Sequence, residues 1–248
     1  MAGHSHAANV KRRKDAVNAK KAKIFSKCSK HIASAVRVGG PDPGQNPRLA
    51  LAIEKARAAN MPKDNIERAV KKAAGDKDGA DYQELVYEGY GPGGVALMIQ
   101  CLTDNRNRTA PDIKYTLEKR GGNLGAIGSV SFLFDLRSVF VVDAGDKDEE
   151  ALMEEAMEAG AEDVRLDDGV ATFYGPATEY LELKHGLEGI GYEEFITAET
   201  LYVPQTEVAL ESPADAKKVQ ALIDALEEND DVESIAGNHS FPAEWLEE

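Results

Sequence analysis

Ten lysines and arginines stand between residues 8 and 37, at positions 11, 12, 13, 14, 20, 21, 23, 27, 30 and 37, against a single acid, Asp15. Cations at that density, nearly free of carboxylates, have the chemistry of phosphate binding. On a helix turning ~100° per residue, Lys20, Lys23, Lys27, Lys30 and Arg37 gather on one side, and Ile24, Phe25, Cys28, Ile32 and Val36 on the other. Lysine dominates the cationic face, which favours backbone contact, since bidentate base reading prefers arginine and asparagine. An ordinary charge run is a solvated face, but this one belongs to a chain of net charge −15. A membrane-surface helix would carry bulky Trp, Phe and Leu where this one has mostly Ala, Cys, Ile and Val. An organelle transit peptide is also Arg-rich and acid-poor, yet this segment runs into a capped helical bundle.

A second cationic pair lies in TDNRNRT, residues 103–109, where an apolar strand gives way to a helix expected to begin near Pro111. Capping by Asp104, Asn105 or Thr109 accounts for the polar residues but not for Arg106 and Arg108. Exposed cations at a helix N-terminus oppose its dipole by ~0.3 to 1 kcal/mol. A docked anion would reverse that sign. The candidate nucleic-acid-binding residues are therefore Lys11, Arg12, Arg13, Lys14, Lys20, Lys23, Lys27, Lys30, Arg37, Arg106 and Arg108.

Nothing comparable points to catalysis, a metal or a cofactor. GYGPGG (89–94) has neither Walker spacing nor a following helix and reads as a hairpin tip; GGNLGAIG (121–128) reads as a helix stop and a loop. His4 and His6 have no third ligand at useful spacing, and His31, His185 and His239 are dispersed. GxSxG and HExxH do not occur. Cys28 and Cys101 stand apart, against a disulfide framework or a cysteine zinc site, and both read as small buried hydrophobes. A non-enzyme is expected. No stretch approaches the ~18 apolar residues of a membrane span, and the N-terminus lacks an apolar signal core, so a cytoplasmic protein is expected.

The elements that must position these residues fall into three blocks. Residues 1–75 hold 17 Lys and Arg against 5 Asp and Glu, a net +12; the remainder holds 12 against 39, a net −27. The basic block reads as an all-helical bundle, with GGPDPGQNP (39–47) as a break, Asn46-Pro47 and Pro62 as helix starts and Gly75 as a stop. From Leu85 two strands, a helix and a strand through Val130, Phe132 and Phe134 follow. The missing cover for that sheet is a helix over 212–228, with Ser212 as cap and Ala216, Val219, Leu222 and Leu226 at helical spacing, and 232–236 adds a last strand. Between them, residues 137–204 read as βαββαβ, the ferredoxin-like order, in a strongly acidic unit. The expected architecture is multidomain α and α+β: an N-terminal helical bundle, residues 1–76; an α+β middle domain, 77–136 plus 205–248; and an acidic ferredoxin-like domain, 137–204, inserted in it.

MAGHSHAANVKRRK at the start, KIFSK at 23–27, NPRLALAIEKARAANMPKDNIERA at 46–69, YEGYGPGGVALMIQCLTDNRNRT at 87–109 and GGNLGAIGSVSFLF at 121–134 resemble the YebC family. That family includes the mitochondrial translational activator of cytochrome c oxidase. The resemblance is specific through about Phe134 and looser beyond. It implies a helical N-terminal domain with two α/β domains, one inserted in the other, and a non-enzymatic regulator of gene expression. Bacterial members are described as DNA-binding transcriptional regulators. Others act at the ribosome in translation, including relief of stalling on proline-rich chains. The implied partner is duplex DNA or ribosomal RNA, with the ribosome as an alternative setting. The chain departs from the family at His6-Ala7, where Lys-Trp is usual.

Overall fold

The computed structural model of the protein describes residues 21–75, 81–167, 169–242 and 245. Three helices come first: α1 (Lys21–Gly39), α2 (Pro47–Ala58) and α3 (Lys63–Gly75). They enclose Ile32, Ala35, Val36, Leu49, Ala52, Ala56, Met61 and Ile66, with Phe25 and Cys28 at the edge. The alanines on facing sides bring the helices close. Asn46 ties the bend between α1 and α2. Its Oδ1 accepts from Leu49 N (3.1 Å) and its Nδ2 donates to Ala35 O (2.8 Å) and Gly40 O (2.9 Å). A Cβ at Gly39 would stand 2.7 Å from that amide, so only glycine lets α1 end there. Asn46 caps α2 and Pro47 starts it, the placement that suits their side chains.

Next come β1 (Gln83–Tyr90), β2 (Ala96–Thr103), α4 (Arg106–Lys119) and β3 (Asn123–Leu124). The chain then builds β4 (Phe134–Asp143), α5 (Glu149–Ala159), β5 (Asp163–Asp167), β6 (Val170–Pro176), α6 (Tyr180–Gly189) and β7 (Thr197–Pro204). It returns through β8 (Val208–Ala209), α7 (Pro213–Glu227), β9 (Val232–Gly237) and β10 (His239–Ser240). Two four-stranded sheets result, ordered β3-β1-β2-β9 and β5-β6-β4-β7, with every neighbouring pair antiparallel. The second sheet has the ferredoxin-like order and lies in sequence between the strands of the first, so one α+β unit is inserted in the other.

The first sheet is covered on both faces, which is why β2 reads ALMIQCLT without alternation. Leu97, Ile99 and Cys101 face Ile113 and Leu117 of α4 and Val219 and Leu222 of α7. Ala96 and Met98 face the other way, onto Val130 and Phe134. In the inserted unit, Phe140, Val142 and Phe173 pack under Leu152 of α5 and Leu183 and Leu187 of α6.

Two local expectations are corrected. No strand runs through Val130 and Phe132: residues Ser131–Leu133 form a 3-10 turn, Phe132 is exposed, and β4 is one strand of the inserted sheet from Phe134 to Asp143. The cause is Glu88 of β1. Its buried carboxylate accepts from the N–H groups of Gly128 (2.6 Å), Val130 (2.7 Å) and Ser131 (2.8 Å), removing them from any ladder. The first sheet takes β3 as its edge instead. Helix α4 begins at Arg106, not near Pro111, because Asn105 Oδ1 caps Asn107 N and Arg108 N and leaves Pro111 inside the helix.

Burial opposes ionisation of Glu88, but the donated N–H groups outweigh it and hold the carboxyl below its ordinary range. A folded-state pKa below the unfolded one gives stability that is fully present above the unfolded value, about 4.3, and is lost as pH falls through the folded value. Glu88→Gln is expected to destabilise the protein by about 1–3 kcal/mol at neutral pH in urea unfolding, with the difference from wild type shrinking below about pH 4. A difference that is constant across pH 3–7 would show that the ionised carboxylate is not what holds the 128–131 loop.

Candidate nucleic-acid interface

Of the candidate cations, Lys11, Arg12, Arg13, Lys14 and Lys20 lie outside the described residues. The apolar side of α1 is inside the bundle, apart from Ile24, which is half-buried outside the core cluster. Its lysine side meets the turn after α7. Lys23 Nζ donates to Glu228 O (2.6 Å) and sits 3.6 Å from Asp230 Oδ1. Lys27 Nζ donates to Glu233 O (3.4 Å), and Lys30 Nζ to Asp230 O (2.7 Å) and Asp231 Oδ1 (3.2 Å). One turn on from Lys27, His31 Nε2 is 2.9 Å from Glu233 Oε2. The lysine face is thus not an open stripe: an acidic turn of the same chain covers Lys23, Lys27 and Lys30.

Asp231 is the centre of this contact. Its Oδ2 accepts from Arg108 Nη2 (2.6 Å), Thr109 Oγ1 (2.9 Å) and Thr103 Oγ1 (3.1 Å), while Oδ1 takes Lys30. Arg108 also reaches Asp104 Oδ1 (3.0 Å). A guanidinium at the N-terminal turn of α4 is therefore accounted for by two carboxylates rather than by a docked anion. Lys30 of α1 and Arg108 of α4 thus share one carboxylate. Arg106 is exposed on the first turn of α4. Burial opposes ionisation of Asp231, and its bonds to Arg108, Thr109 and Lys30 overcome it, so the carboxyl titrates below its ordinary range.

On the other flank of α1 lies a groove of about 560 Å³ between α1 and α3. Lys30 and Arg37 line it from α1, Arg68 and Lys72 from α3, and Phe25 and Tyr82 add aromatic rings; no Asp or Glu is in its wall. Arg68 and Lys72, four residues apart on one face of α3, were not singled out from sequence. The signal was present, since Ile66, Ala69, Val70 and Ala73 turn inward and leave 68, 71 and 72 outward. The groove gathers four cations and two aromatic rings, of which Phe25 also packs against the core of the bundle.

Acid–base chemistry is poorly supplied. Burial pushes the Cys28 thiol up to about 11 and the Cys101 thiol up to about 12, with nearby carboxylates adding to the shift, so both are protonated at neutral pH. His239, half-buried and stacked on Phe241, is pushed down to about 4 by desolvation and is neutral. Among the described residues, no three His, Cys, Asp or Glu side chains are placed to hold a metal ion. None of their helices is long and apolar enough to cross a membrane.

A cationic three-helix unit docked on two α+β units, one inserted in the other, defines the class of multidomain α and α+β protein to which the chain's fold belongs. The family model for the TACO1/YebC protein N-terminal domain matches residues 5–76, and that for the TACO1/YebC second and third domain matches residues 82–239. The chain belongs to the TACO1/YebC family. A probable transcriptional regulatory protein of Halothermothrix orenii is 48% identical over 250 residues, covering 100% of this chain and 98% of the relative. One from Treponema denticola is 47% identical, covering 98% and 97%. The crystal structure of a conserved hypothetical protein from Aquifex aeolicus superposes with a TM-score of 0.83 at 45% identity, covering 94% of this chain and 95% of that one.

Asp231 and Asp230 separate buried from exposed pairing on one turn. The Asp231 side chain is 6% exposed and Asp230 79%. Asp231→Asn is expected to lower stability by about 2–4 kcal/mol in urea unfolding, because Lys30 and Arg108 lose a desolvated partner. Asp230→Asn is expected to cost less than about 1 kcal/mol. Equal costs would mean that Asp231 is not the anchor of the seam.

Proposed function

We propose that this chain is a non-enzymatic regulator of gene expression that binds nucleic acid through its helical head. The observation that carries this reading is the acid-free groove between α1 and α3, where four cations and two aromatic rings line one surface of a chain whose net charge is −15. The groove lies in the cationic head, and its chemistry fits a phosphate backbone with adjoining bases. The relatives named as transcriptional regulatory proteins favour duplex DNA as the target. Backbone gripping is the mode: lysines and arginines neutralise successive phosphates, and no base-reading helix is required. Arg106, exposed on the neighbouring unit, adds a further cation in this reading, and Lys11, Arg12, Arg13, Lys14 and Lys20, outside the described residues, are proposed to contact phosphate as well.

A second reading rests on charge segregation. Residues 76–248 carry a net −27, which phosphate would repel. A ribosome, with both RNA and basic protein on its surface, would accommodate both halves of the chain, the head on RNA and the acidic units on protein. Sedimentation with ribosomes across a salt series, with random duplex as competitor, separates the two targets.

For the groove itself, Arg68→Glu with Lys72→Glu is expected to leave the fold intact by circular dichroism. Duplex affinity should fall at least about ten-fold at 0.1 M salt, and the slope of log K against log salt should flatten by about 1.8, or ~0.9 per phosphate contact. Lys114→Glu with Lys119→Glu on α4, the same charge change, serves as a control for net charge. An unchanged slope in the double variant would remove the groove from the binding surface.

A further inference from the structure

The lysines of α1 that meet the 228–233 turn stand at i, i+4 and i+7, so they span ~10.5 Å of helix. One strand of duplex carries a charge per ~3.4 Å of axis, so that span corresponds to about three phosphates. The turn sets its own oxygens along the same line: Glu228 O at Lys23, Glu233 O at Lys27, and Asp230 O with Asp231 Oδ1 at Lys30. Asp230 and Glu233 add carboxylates beside Lys23 and His31. To the helix, this segment presents a row of carbonyl oxygens with the carboxylates of Asp230, Asp231 and Glu233 beside them.

The rest of the seam between head and body is mostly polar. Arg48 pairs with Glu84, Lys184 lies 3.7 Å from Glu54, and Lys55 stands over the Tyr180 ring at 5.5 Å. Leu51 supplies an apolar contact, against the core of the inserted unit. Arg48–Glu84 and Lys23–Asp230 have solvent-facing partners and are screened by salt, so giving them up costs little, whereas Lys30–Asp231 is buried and its loss has to be offset by phosphate bound at Lys30 and Arg108. Lys30 belongs to both surfaces, lining the groove while bonding Asp231. Phosphate that enters the groove therefore competes directly with the turn.

We infer that the 228–233 turn is an internal competitor for phosphate: it covers the lysine face of α1, and nucleic acid loads fully by exchanging its phosphates for these oxygens and releasing the head from the middle unit. This rests on the nucleic-acid reading of the head. Closed, the protein binds weakly and non-specific contact is suppressed; opened, it adds Lys23, Lys27 and Lys30 to the groove.

Zero-length carbodiimide coupling tests it on the full chain. Lys23–Asp230 and Lys30–Asp231 cross-links, read by mass spectrometry, are expected without nucleic acid and are expected to disappear with saturating 25-base-pair random duplex. In parallel, Asp230→Asn with Glu233→Gln should bind the duplex about three- to ten-fold more tightly than wild type, and Glu150→Gln with Glu154→Gln, the same charge change on α5, less than two-fold more tightly. Cross-links that persist at saturation, or equal affinities for the two double variants, overturn the competitor while leaving nucleic-acid binding in place. Absence of duplex binding by wild type and both variants at low salt overturns the binding reading and the competitor together.

Discussion

A buried carboxylate has to have its charge met, and in this protein one such group, Asp231, draws three parts of the chain to itself. Lys30 comes from the helical head, Arg108 and Thr109 from the first turns of α4, and Thr103 from the end of β2. Its own carbonyl accepts from Leu102 N at 2.8 Å, which fixes where the turn after α7 joins the central sheet. Taking an ion out of water costs several kcal/mol unless partners surround it, so none of these groups can be displaced alone. The position of the head on the body is a consequence of that local requirement.

A second carboxylate works the same way in the middle unit. Glu88 gathers the amides of the 128–131 loop and so decides that the chain turns there and enters the inserted sheet as one long strand. The loop itself tolerates little change. A Cβ at Gly122 would stand 2.4 Å from Tyr90 O, so the backbone at the end of α4 can approach β1 only as glycine. The product is a shaped loop that leaves Ile127 and Phe132 in solvent, in a protein whose other large apolar side chains are mostly covered.

These two carboxylates also mark where the sequence is legible and where it is not. Helix α7 can be read because a cap, a proline and an apolar period agree within fifteen residues: Ser212 accepts from Asp215 N, Pro213 begins the helix, and Ala216, Val219, Leu222 and Leu226 are buried. The inserted unit can be read because its alternation and turns give the ferredoxin-like order directly. The strand through Val130, Phe132 and Phe134 has good alternation and does not form, since Glu88, some forty residues earlier, takes its amides. Arg108 is opaque for the same reason: its partner stands 123 residues away. Local pattern fixes elements; a buried charge fixes which of two locally reasonable conformations survives, and its partners are spread along the chain.

The lysine face of α1 is the sharpest case. A face of one sign tells a reader that an anion belongs there, and nothing local says whether the chain supplies it. Here the chain does, at Lys23, Lys27 and Lys30, with contacts 200 to 206 residues apart in sequence. Among the described residues, Asp230, Asp231 and Glu233 meet one flank of α1, and Glu84 meets Arg48 of α2. The groove on the other flank of α1 has no carboxylate in its wall. Internal pairing on one flank positions the head, so the same helix both holds the molecule together and contributes Lys30 and Arg37 to the groove on its other flank.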